Sequence, residues 1–164
     1  FCIGTDGLKA ELQSFGVKVL DAAETAEALV IGLDPEFTYA KLAAAMPCNA
    51  KCKIIACNRD RSYPIENNVK LPGCGPIVAA VEDALGREVD FMVGKPNTYM
   101  LDLLSQQLGC SNTDITVVGD SYDSDIQMAI SYGATSFLIS NRQLVDIRAT
   151  TQVADIREII SHIG

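Results

Sequence analysis

The sequence predicts an α/β fold with a largely parallel sheet. Short apolar runs rich in β-branched residues alternate with stretches of helical periodicity, and this alternation is typical of βαβ units. Some apolar runs also end in glycine followed by a charged residue, at the sheet edge where open α/β folds bind ligands. Together these observations predict neighbouring strands with polar residues gathered at their carboxyl ends.

In the first half of the chain, apolar runs predict strands over residues 1–4, 17–20, 28–33 and 53–57. Residues that favour helix starts and stops bracket three predicted helices, over 5–16, 38–46 and 73–86. Residues 21–27 are predicted to be a connection with at most one helical turn. Residues 58–72 are predicted to be a polar loop, and its length favours either a functional role or a shape fixed by turn residues.

In the second half, strands are predicted over 90–93, 115–118 and 134–139. Helices are predicted over 97–109, with Pro96 at the first helical position, from Ser121 or Asp123 through Ile130, and over 153–163. We place a domain boundary near residue 86. Residues 1–86 then form a small α/β domain, and residues 87–164 form a second domain.

The charge of the chain argues against several classes of partner. The net charge is −8 and the sequence pI is about 4.5. Nucleic-acid phosphates and anionic membrane surfaces would be repelled. A phosphate ester could still bind through a local cation such as Mg²⁺ or Lys95. No apolar run approaches the roughly 20 residues that a membrane-spanning helix requires.

The cysteines do not form a recognisable metal motif. Three of them cluster at Cys48, Cys52 and Cys57, but without Cys-x-x-Cys spacing, and His162 is far away in sequence. We therefore expect buried, reduced thiols in a cytoplasmic protein.

The most informative stretch is residues 115–125, where an apolar strand leads into an acidic turn. Gly119 follows the strand, and Asp120 and Asp125 come next. Two close carboxylates repel each other unless a cation joins them, and hard oxygen ligands suit Mg²⁺. The alternative is a strand, a turn and an N-capped helix with solvated acids.

Lys95 follows the predicted strand 90–93 in the same way. If that strand and the strand 115–118 are neighbours, Lys95 and Asp120 lie on one rim of the sheet. A cation facing a metal-binding acid can hold a phosphoryl group. The alternative for Lys95 alone is a surface lysine.

Two further stretches offer weaker candidates. Asn58 and Asp60 follow the strand 53–57, where they could contact a substrate, although Asn and Asp are also common turn residues. Gly-Cys-Gly at 73–75 opens a helix, which indicates close helix packing first and an anion site second.

Several motifs together resemble the haloacid dehalogenase superfamily. Gly-Lys-Pro at 94–96 and the run at 119–125 resemble the third and fourth motifs of its phosphatases. Upstream, Gly-Leu-Asp at 32–34, Asn-Arg-Asp at 58–60 and Pro-Gly-Cys-Gly at 72–75 resemble the p-nitrophenyl phosphatase branch with the large α/β (C2-type) cap. The resemblance implies a cap over 1–86 and the C-terminal half of a Rossmann-like parallel-sheet core over 87–164.

The resemblance also implies a function and a set of roles. The reaction is hydrolysis of a small phosphate monoester through an aspartyl-phosphate intermediate, with Mg²⁺ as cofactor. Lys95 would neutralise charge on the phosphoryl group, Asp120 would ligate Mg²⁺, and Asp125 would hold the site. Two groups of residues would bind the substrate: Ser121 and Ser124 at the phosphate, and Asn58 and Asp60 from the cap.

One departure from the family pattern is serious. Members begin with a strand ending in Asp-x-Asp-Gly-Thr, whose first Asp is the nucleophile, and this motif does not occur here. Gly-Thr-Asp-Gly at 4–7 lacks the paired Asp and follows a different strand. The chain resembles a member without its first part. We therefore expect it to be inactive alone and to associate into a homo-oligomer through exposed sheet edges and apolar surface.

Three alternatives remain. The first is a non-catalytic module that binds a small phosphorylated ligand. The second is a receiver-type signalling domain, which is disfavoured because its acids precede its lysine, whereas here Lys95 precedes Asp120. The third is a dinucleotide-binding enzyme, which is disfavoured because no complete glycine fingerprint follows the first strand.

Overall fold

The structure is a computed structural model that describes residues 1–48, 51–141 and 151–163. The chain divides into two compact units, Phe1–Val93 and Gly94–Gly164. Among the described residues, no helix is both long enough and apolar enough to cross a membrane.

The first unit is a parallel α/β structure with an added hairpin. In chain order its elements are β1 (Cys2–Ile3), α1 (Asp6–Ser14), β2 (Ala28–Ile31), α2 (Tyr39–Ala45), β3 (Lys53–Ala56), β4 (Ser62–Pro64), β5 (Lys70–Pro72), α3 (Cys74–Leu85) and β6 (Phe91–Met92). The main sheet has the strand order β1-β2-β3-β6, and every pairing in it is parallel. The predicted fold class is confirmed.

Local sequence signals explain where the helices of this unit begin and end. The hydroxyls of Thr5 and Thr38 accept the N–H groups of Leu8 and Lys41, so both threonines cap helices. Gly86 ends α3 with a φ of 63°, a left-handed conformation that favours glycine. Helix α3 buries Ile77, Val78 and Val81 in the core of the unit, and burial of each such side chain stabilises the fold by about 1.5–3 kcal/mol.

Two predictions for the first unit are wrong. Residues 17–20 form no strand and take no place in the main sheet. Residues 21–27 form a connection of bends and turns without a helix, in agreement with the prediction. The polar stretch 58–72 contains an antiparallel hairpin, in which Tyr63 pairs with Leu71.

The cysteines also differ from expectation. Cys48 and Cys52 form a disulfide, with Cα atoms 5.6 Å apart and both residues buried, so the expectation of reduced thiols is wrong for this pair. Cys2, Cys57, Cys74 and Cys110 are free. The predicted cytoplasmic location loses part of its support, because it depended on reduced thiols.

The second unit contains a smaller parallel sheet. Its elements are α4 (Tyr99–Leu108), β7 (Thr116–Gly119), α5 (Gln127–Tyr132), β8 (Thr135–Ile139), β9 (Thr151–Val153) and α6 (Ile160–Ile163). The strand order is β7-β8-β9, and both pairings are parallel. Leu101, Ile115 and Met128 form one apolar cluster, and Phe137, Val153 and Ile159 form another.

Long-range pairing overrides the predicted elements of the second half. Strand β6 pairs with β3, so it belongs to the sheet of the first unit. This pairing is also why the division between units falls later than residue 86. Val153 pairs with Ile139 in the sheet, so the predicted helix 153–163 is reduced to a 3₁₀ turn, Ile156–Ile159, followed by α6.

Two helix starts in this unit also differ from prediction. Helix α4 begins at Tyr99 rather than Pro96, because the chain first makes a turn in which Asn97 N–H donates to the Gly94 carbonyl. Neither Ser121 nor Asp123 caps α5. A π-helical turn, Tyr122–Ile126, leads into α5, and the Ser121 side chain makes no capping hydrogen bond.

Helix α4 leaves much of its apolar surface exposed. Leu101 is its one buried residue, whereas five large apolar side chains are 39–65% exposed, namely Tyr99, Met100, Leu103, Leu104 and Leu108. This set is called the α4 apolar face below. Contiguous apolar surface of this kind usually marks a contact site.

Candidate active site

The second unit joins two of the predicted site residues directly. The Lys95 ammonium lies 2.5 Å from Asp125 Oδ1. Asp125 is buried, whereas the Lys95 side chain is 43% exposed. A short charge-assisted contact of this kind holds the ammonium in place. Part of the Lys95 side chain remains exposed to solvent.

A second contact fixes Asp125 itself. Its Oδ2 accepts the backbone N–H of Ser121 at 3.2 Å, and its own N–H donates to the Ser121 carbonyl at 3.0 Å. Both carboxylate oxygens of Asp125 therefore have partners, and the turn after β7 is closed around this side chain.

Gly119 makes this closure possible. A Cβ at position 119 would lie 2.3 Å from the Asp125 Cβ and 2.4 Å from its Cγ and Oδ2. Real Cβ atoms do not approach other atoms so closely, so any larger residue at 119 would displace Asp125. The glycine at the end of β7 is required by this close approach rather than by an unusual backbone angle.

The carboxylate of Asp120 is accessible and could bind a metal ion. It follows β7 directly and is exposed, and its carboxylate makes no hydrogen bond or ion pair with another residue in the described part of the chain. Over residues 1–48, 51–141 and 151–163, no three His, Cys, Asp or Glu side chains are grouped to hold a metal ion by themselves. Mg²⁺ commonly binds one or two carboxylates and completes its shell with water and phosphate oxygens, so Asp120 fits as one ligand.

The remaining candidates of this turn are Ser121 and Ser124. Ser121 and Ser124 are half-buried and flank the exposed Asp123. Ser121 contributes its backbone N–H and carbonyl to Asp125, as described above. The site residues Lys95, Asp120, Ser121, Ser124 and Asp125 thus all belong to one unit.

Asn58 and Asp60 belong to the first unit and form a tight turn after β3. The Asn58 side-chain oxygen accepts the Asp60 N–H at 3.1 Å. The N–H of Gly75 donates to the Asp60 carbonyl at 2.9 Å, and that of Gly73 donates to the Arg61 carbonyl at 2.9 Å. Because these two amides are already bonded, the packing interpretation of the 73–75 glycines fits better than the anion-site interpretation.

Cys74, at the start of α3, is not a reactive group. Burial raises the pKa of its thiol to about 11, although a hydrogen bond from the Asn58 backbone N–H partly offsets that effect. The thiol is therefore neutral near pH 7, and a neutral thiol is a poor nucleophile.

A cavity beside this turn contains residues that the sequence did not single out. Its volume is about 360 Å³, and its lining is mostly apolar, including Leu33, Phe37, Tyr63, Leu71 and Ile77. Gly73 also lines it, which places the cavity next to the Asp60 carbonyl. Sequence reasoning missed Tyr63 and Leu71 because it assigned residues 58–72 to a loop. Pro64 and Pro72, which follow these residues, made a strand assignment less favourable.

Comparison with known families gives this geometry a context. The family model described as HAD-hydrolase-like, where HAD stands for haloacid dehalogenase, matches residues 92–156, a range that contains Lys95, Asp120 and Asp125. The chain contains a HAD-like hydrolase domain.

Curated relatives of this HAD-like chain agree with the match. Chronophin from Homo sapiens is 33% identical over 147 residues, which cover 84% of this chain and 49% of chronophin. Sugar-phosphatase AraL from Bacillus subtilis is 34% identical over 138 residues, which cover 84% of this chain and 50% of AraL. The chain spans about half the length of these relatives.

A solved structure extends the similarity to the three-dimensional fold. The 4-nitrophenylphosphatase from Thermotoga maritima matches with a TM-score of 0.87 and 25% identity, over 100% of this chain and 65% of that protein. The resemblance to p-nitrophenyl phosphatase-like HAD proteins is thereby confirmed.

Proposed function

We propose that the protein carrying this chain is a phosphatase that hydrolyses the monoester of a small phosphorylated metabolite, with Mg²⁺ and a phosphorylated aspartate as intermediate. The names of AraL and of the Thermotoga protein support phosphatase chemistry. The observation that carries the proposal is the contact between Lys95 and Asp125 on the turn that begins with the open carboxylate of Asp120.

Lys95 supplies positive charge for the phosphoryl group. Its ammonium is held by the buried carboxylate of Asp125, and its partial exposure leaves room for phosphate oxygens. Phosphoryl transfer places negative charge on those oxygens, and a fixed cation stabilises that charge without reorganising during the reaction. Asp125 acts through Lys95 and is a positioning residue.

Asp120 would hold Mg²⁺, and Ser121 and Ser124 would offer hydroxyl or N–H groups to the phosphate. When bound, Mg²⁺ supplies further neutralisation of the phosphoryl oxygens. Asn58 and Asp60 would bind the part of the substrate beyond the phosphate. The neighbouring apolar cavity supports a leaving group with some apolar surface.

These 164 residues contain no Asp-x-Asp-Gly-Thr, the motif whose first Asp is the nucleophile in the family that the chain resembles. In the proposed reaction, an aspartate oxygen bonds to phosphorus while the bond between phosphorus and the ester oxygen breaks, and the leaving oxygen takes up a proton from water. Water then attacks the aspartyl-phosphate, which regenerates the carboxylate and releases phosphate. We propose that the attacking carboxylate comes from outside these residues.

The test compares this chain with the longest reading frame that contains it. We expect Mg²⁺-dependent release of p-nitrophenol from p-nitrophenyl phosphate by the longer protein and none by this chain alone. Asp120→Asn should abolish the Mg²⁺-dependent turnover, whereas Asp123→Asn, at an exposed acid of the same turn, should leave turnover unchanged. Equal loss in both variants would contradict the role of Asp120.

A second function is favoured by the missing nucleophile motif. A chain without that carboxylate could still bind a small phosphorylated ligand through Lys95 and Asp120, without turnover. Calorimetric binding of inorganic phosphate with Mg²⁺, by a protein that hydrolyses no ester at any length of the reading frame, would support this binding module over the phosphatase.

Association of this chain with itself is also part of the proposal. The α4 apolar face offers a surface that another molecule of the chain could cover. Sedimentation of the chain should show a mass that rises with concentration, and Leu104→Glu on this face should reduce that rise.

A further inference from the structure

The turn that carries Asn58 and Asp60 is tied to α3 by an ion pair. Arg59 Nη1 donates to Glu82 Oε2 at 3.0 Å, and Arg59 Nη2 donates to Glu82 Oε1 at 2.5 Å. Two parallel bonds from one guanidinium fix its orientation as well as its distance. This pair therefore restrains the backbone of the turn in more than one direction.

Glu82 is itself anchored, unlike most acidic residues on helix surfaces. Its side chain is only 15% exposed, and its Oε1 also accepts the Val89 N–H at 2.8 Å. Burial opposes its ionisation, but the Arg59 guanidinium and the Val89 N–H outweigh burial, so the pKa of Glu82 is lowered. Ion pairs between exposed side chains contribute little to stability, because holding two mobile side chains together costs conformational entropy. In this pair Glu82 is already held in place, so the cost is smaller.

The backbone of the turn also packs closely against the start of α3. A Cβ at Gly73 would lie 2.2 Å from the Asp60 carbonyl oxygen, and a Cβ at Gly75 would lie 2.6 Å from the Arg59 carbonyl oxygen. The glycines let the backbone of residues 59–60 rest directly on the start of α3. The turn is thus held by backbone contact at one end of α3 and by Arg59 further along the same helix.

We infer that Arg59 and Glu82 are positioning residues, which hold the Asn58–Asp60 turn in the geometry that binds the leaving group of the substrate. The inference rests on the proposed function for its substrate. The ion pair acts through Asn58 and Asp60 and does not touch the substrate itself. Its loss should weaken binding of a whole ester without changing binding of free phosphate, which has no leaving group.

The first test measures the turn directly and needs no catalysis. Amide hydrogen exchange is followed in this chain at Asp60, which donates to Asn58, and at Gly75, which donates to the Asp60 carbonyl. In Arg59→Gln and in Glu82→Gln we expect both amides to exchange about five- to tenfold faster. Lys53→Gln, which removes a different ion pair on β3, should leave them unchanged.

The second test uses the longest reading frame and compares two ligands. In Arg59→Gln, the KM for p-nitrophenyl phosphate should rise about three- to tenfold, while the inhibition constant of inorganic phosphate stays the same. The double variant Arg59→Glu/Glu82→Arg restores a pair of opposite charges, and it should recover part of the exchange protection. If the ion pair only stabilised the fold, the KM for p-nitrophenyl phosphate and the inhibition constant of inorganic phosphate would rise together.

The outcomes separate this inference from the proposed function. Unchanged exchange at Asp60 and Gly75 in both single variants overturns the inference, even if the wild-type protein hydrolyses esters. Equal shifts for ester and phosphate also overturn it. A wild-type protein without any turnover overturns the proposed function, and the substrate assignment made here falls with it, whatever the exchange shows.

Discussion

The side chain of Asp125 occupies the space that a Cβ at Gly119 would need, since such an atom would lie 2.3 Å from the Asp125 Cβ. Only a hydrogen atom fits in place of a side chain at Gly119. The residue at the end of β7 therefore affects the position of the carboxylate that pairs with Lys95. This relationship makes the glycine before Asp120 as important to the site as the charged residues.

Gly119→Ala should destabilise the second unit by about 1–3 kcal/mol, because the added methyl group forces Asp125 and the turn around it to move. Urea denaturation measures this change. Gly7→Ala is a suitable control, because a Cβ there would meet nothing closer than 3.7 Å, and it lies in α1, where alanine is preferred over glycine. Similar destabilisation in both variants would sink the steric explanation.

Lys95 and Asp125 should prove energetically coupled. Asp125→Asn removes the charge opposite Lys95 with little change of shape, and Lys95→Gln removes the other charge. The Lys95 side chain is partly exposed, so we expect a coupling free energy of only about 1 kcal/mol in a double-mutant cycle. Additive effects of the two substitutions on unfolding would show that the contact contributes nothing.

The Cys48–Cys52 disulfide gives a countable prediction. In denaturant without reductant the chain should show four reactive thiols, from Cys2, Cys57, Cys74 and Cys110, and six after reduction. Reduction should lower the free energy of unfolding of the first unit by about 2 kcal/mol, the value for a short closed loop. Cys48→Ala/Cys52→Ala should remove the sensitivity to reductant. Six thiols in the unreduced protein would disprove the disulfide.

Glu82 should make the first unit less stable as the pH falls. Its pKa is lower in the folded chain than in the unfolded one, because Arg59 and the Val89 N–H outweigh the effect of burial. Its stabilising contribution is therefore complete above the unfolded pKa of about 4.3–4.5 and is lost as pH falls through the lower, folded value. Denaturation between pH 7 and pH 3 should show a shallower decline in Glu82→Gln than in the wild-type chain. Parallel curves would contradict this assignment.

Local signals predicted much of the fold. Thr5 and Thr38 cap helices because a hydroxyl before an apolar helical stretch satisfies a free N–H wherever it occurs. Gly86 ends a helix because its left-handed conformation is costly for other residues. The fold class followed from the alternation of strands and helices, which is itself a local pattern.

The candidate site was only partly predictable. Lys95 and Asp125 were both identified from motifs, but the direct contact between their side chains was not predicted. It joins residues 30 positions apart, and no spacing in the sequence indicates such a contact. The apolar cavity with Tyr63 and Leu71 could not be predicted once residues 58–72 were assigned to a loop.

By itself, the sequence determined the α/β class, the threonine caps of α1 and α2, the glycine end of α3, and the acidic turn with its lysine, because each depends on residues close together in the chain. Only the tertiary structure decided that Val153 belongs to a strand, that β6 joins the first sheet, that Cys48 bonds to Cys52, and that Arg59 reaches Glu82. In the two sheet cases, the outcome depends on which strand is available as a partner for the backbone N–H and C=O groups, and no local pattern specifies that partner. The side-chain contacts depend on distances in space that no sequence spacing states.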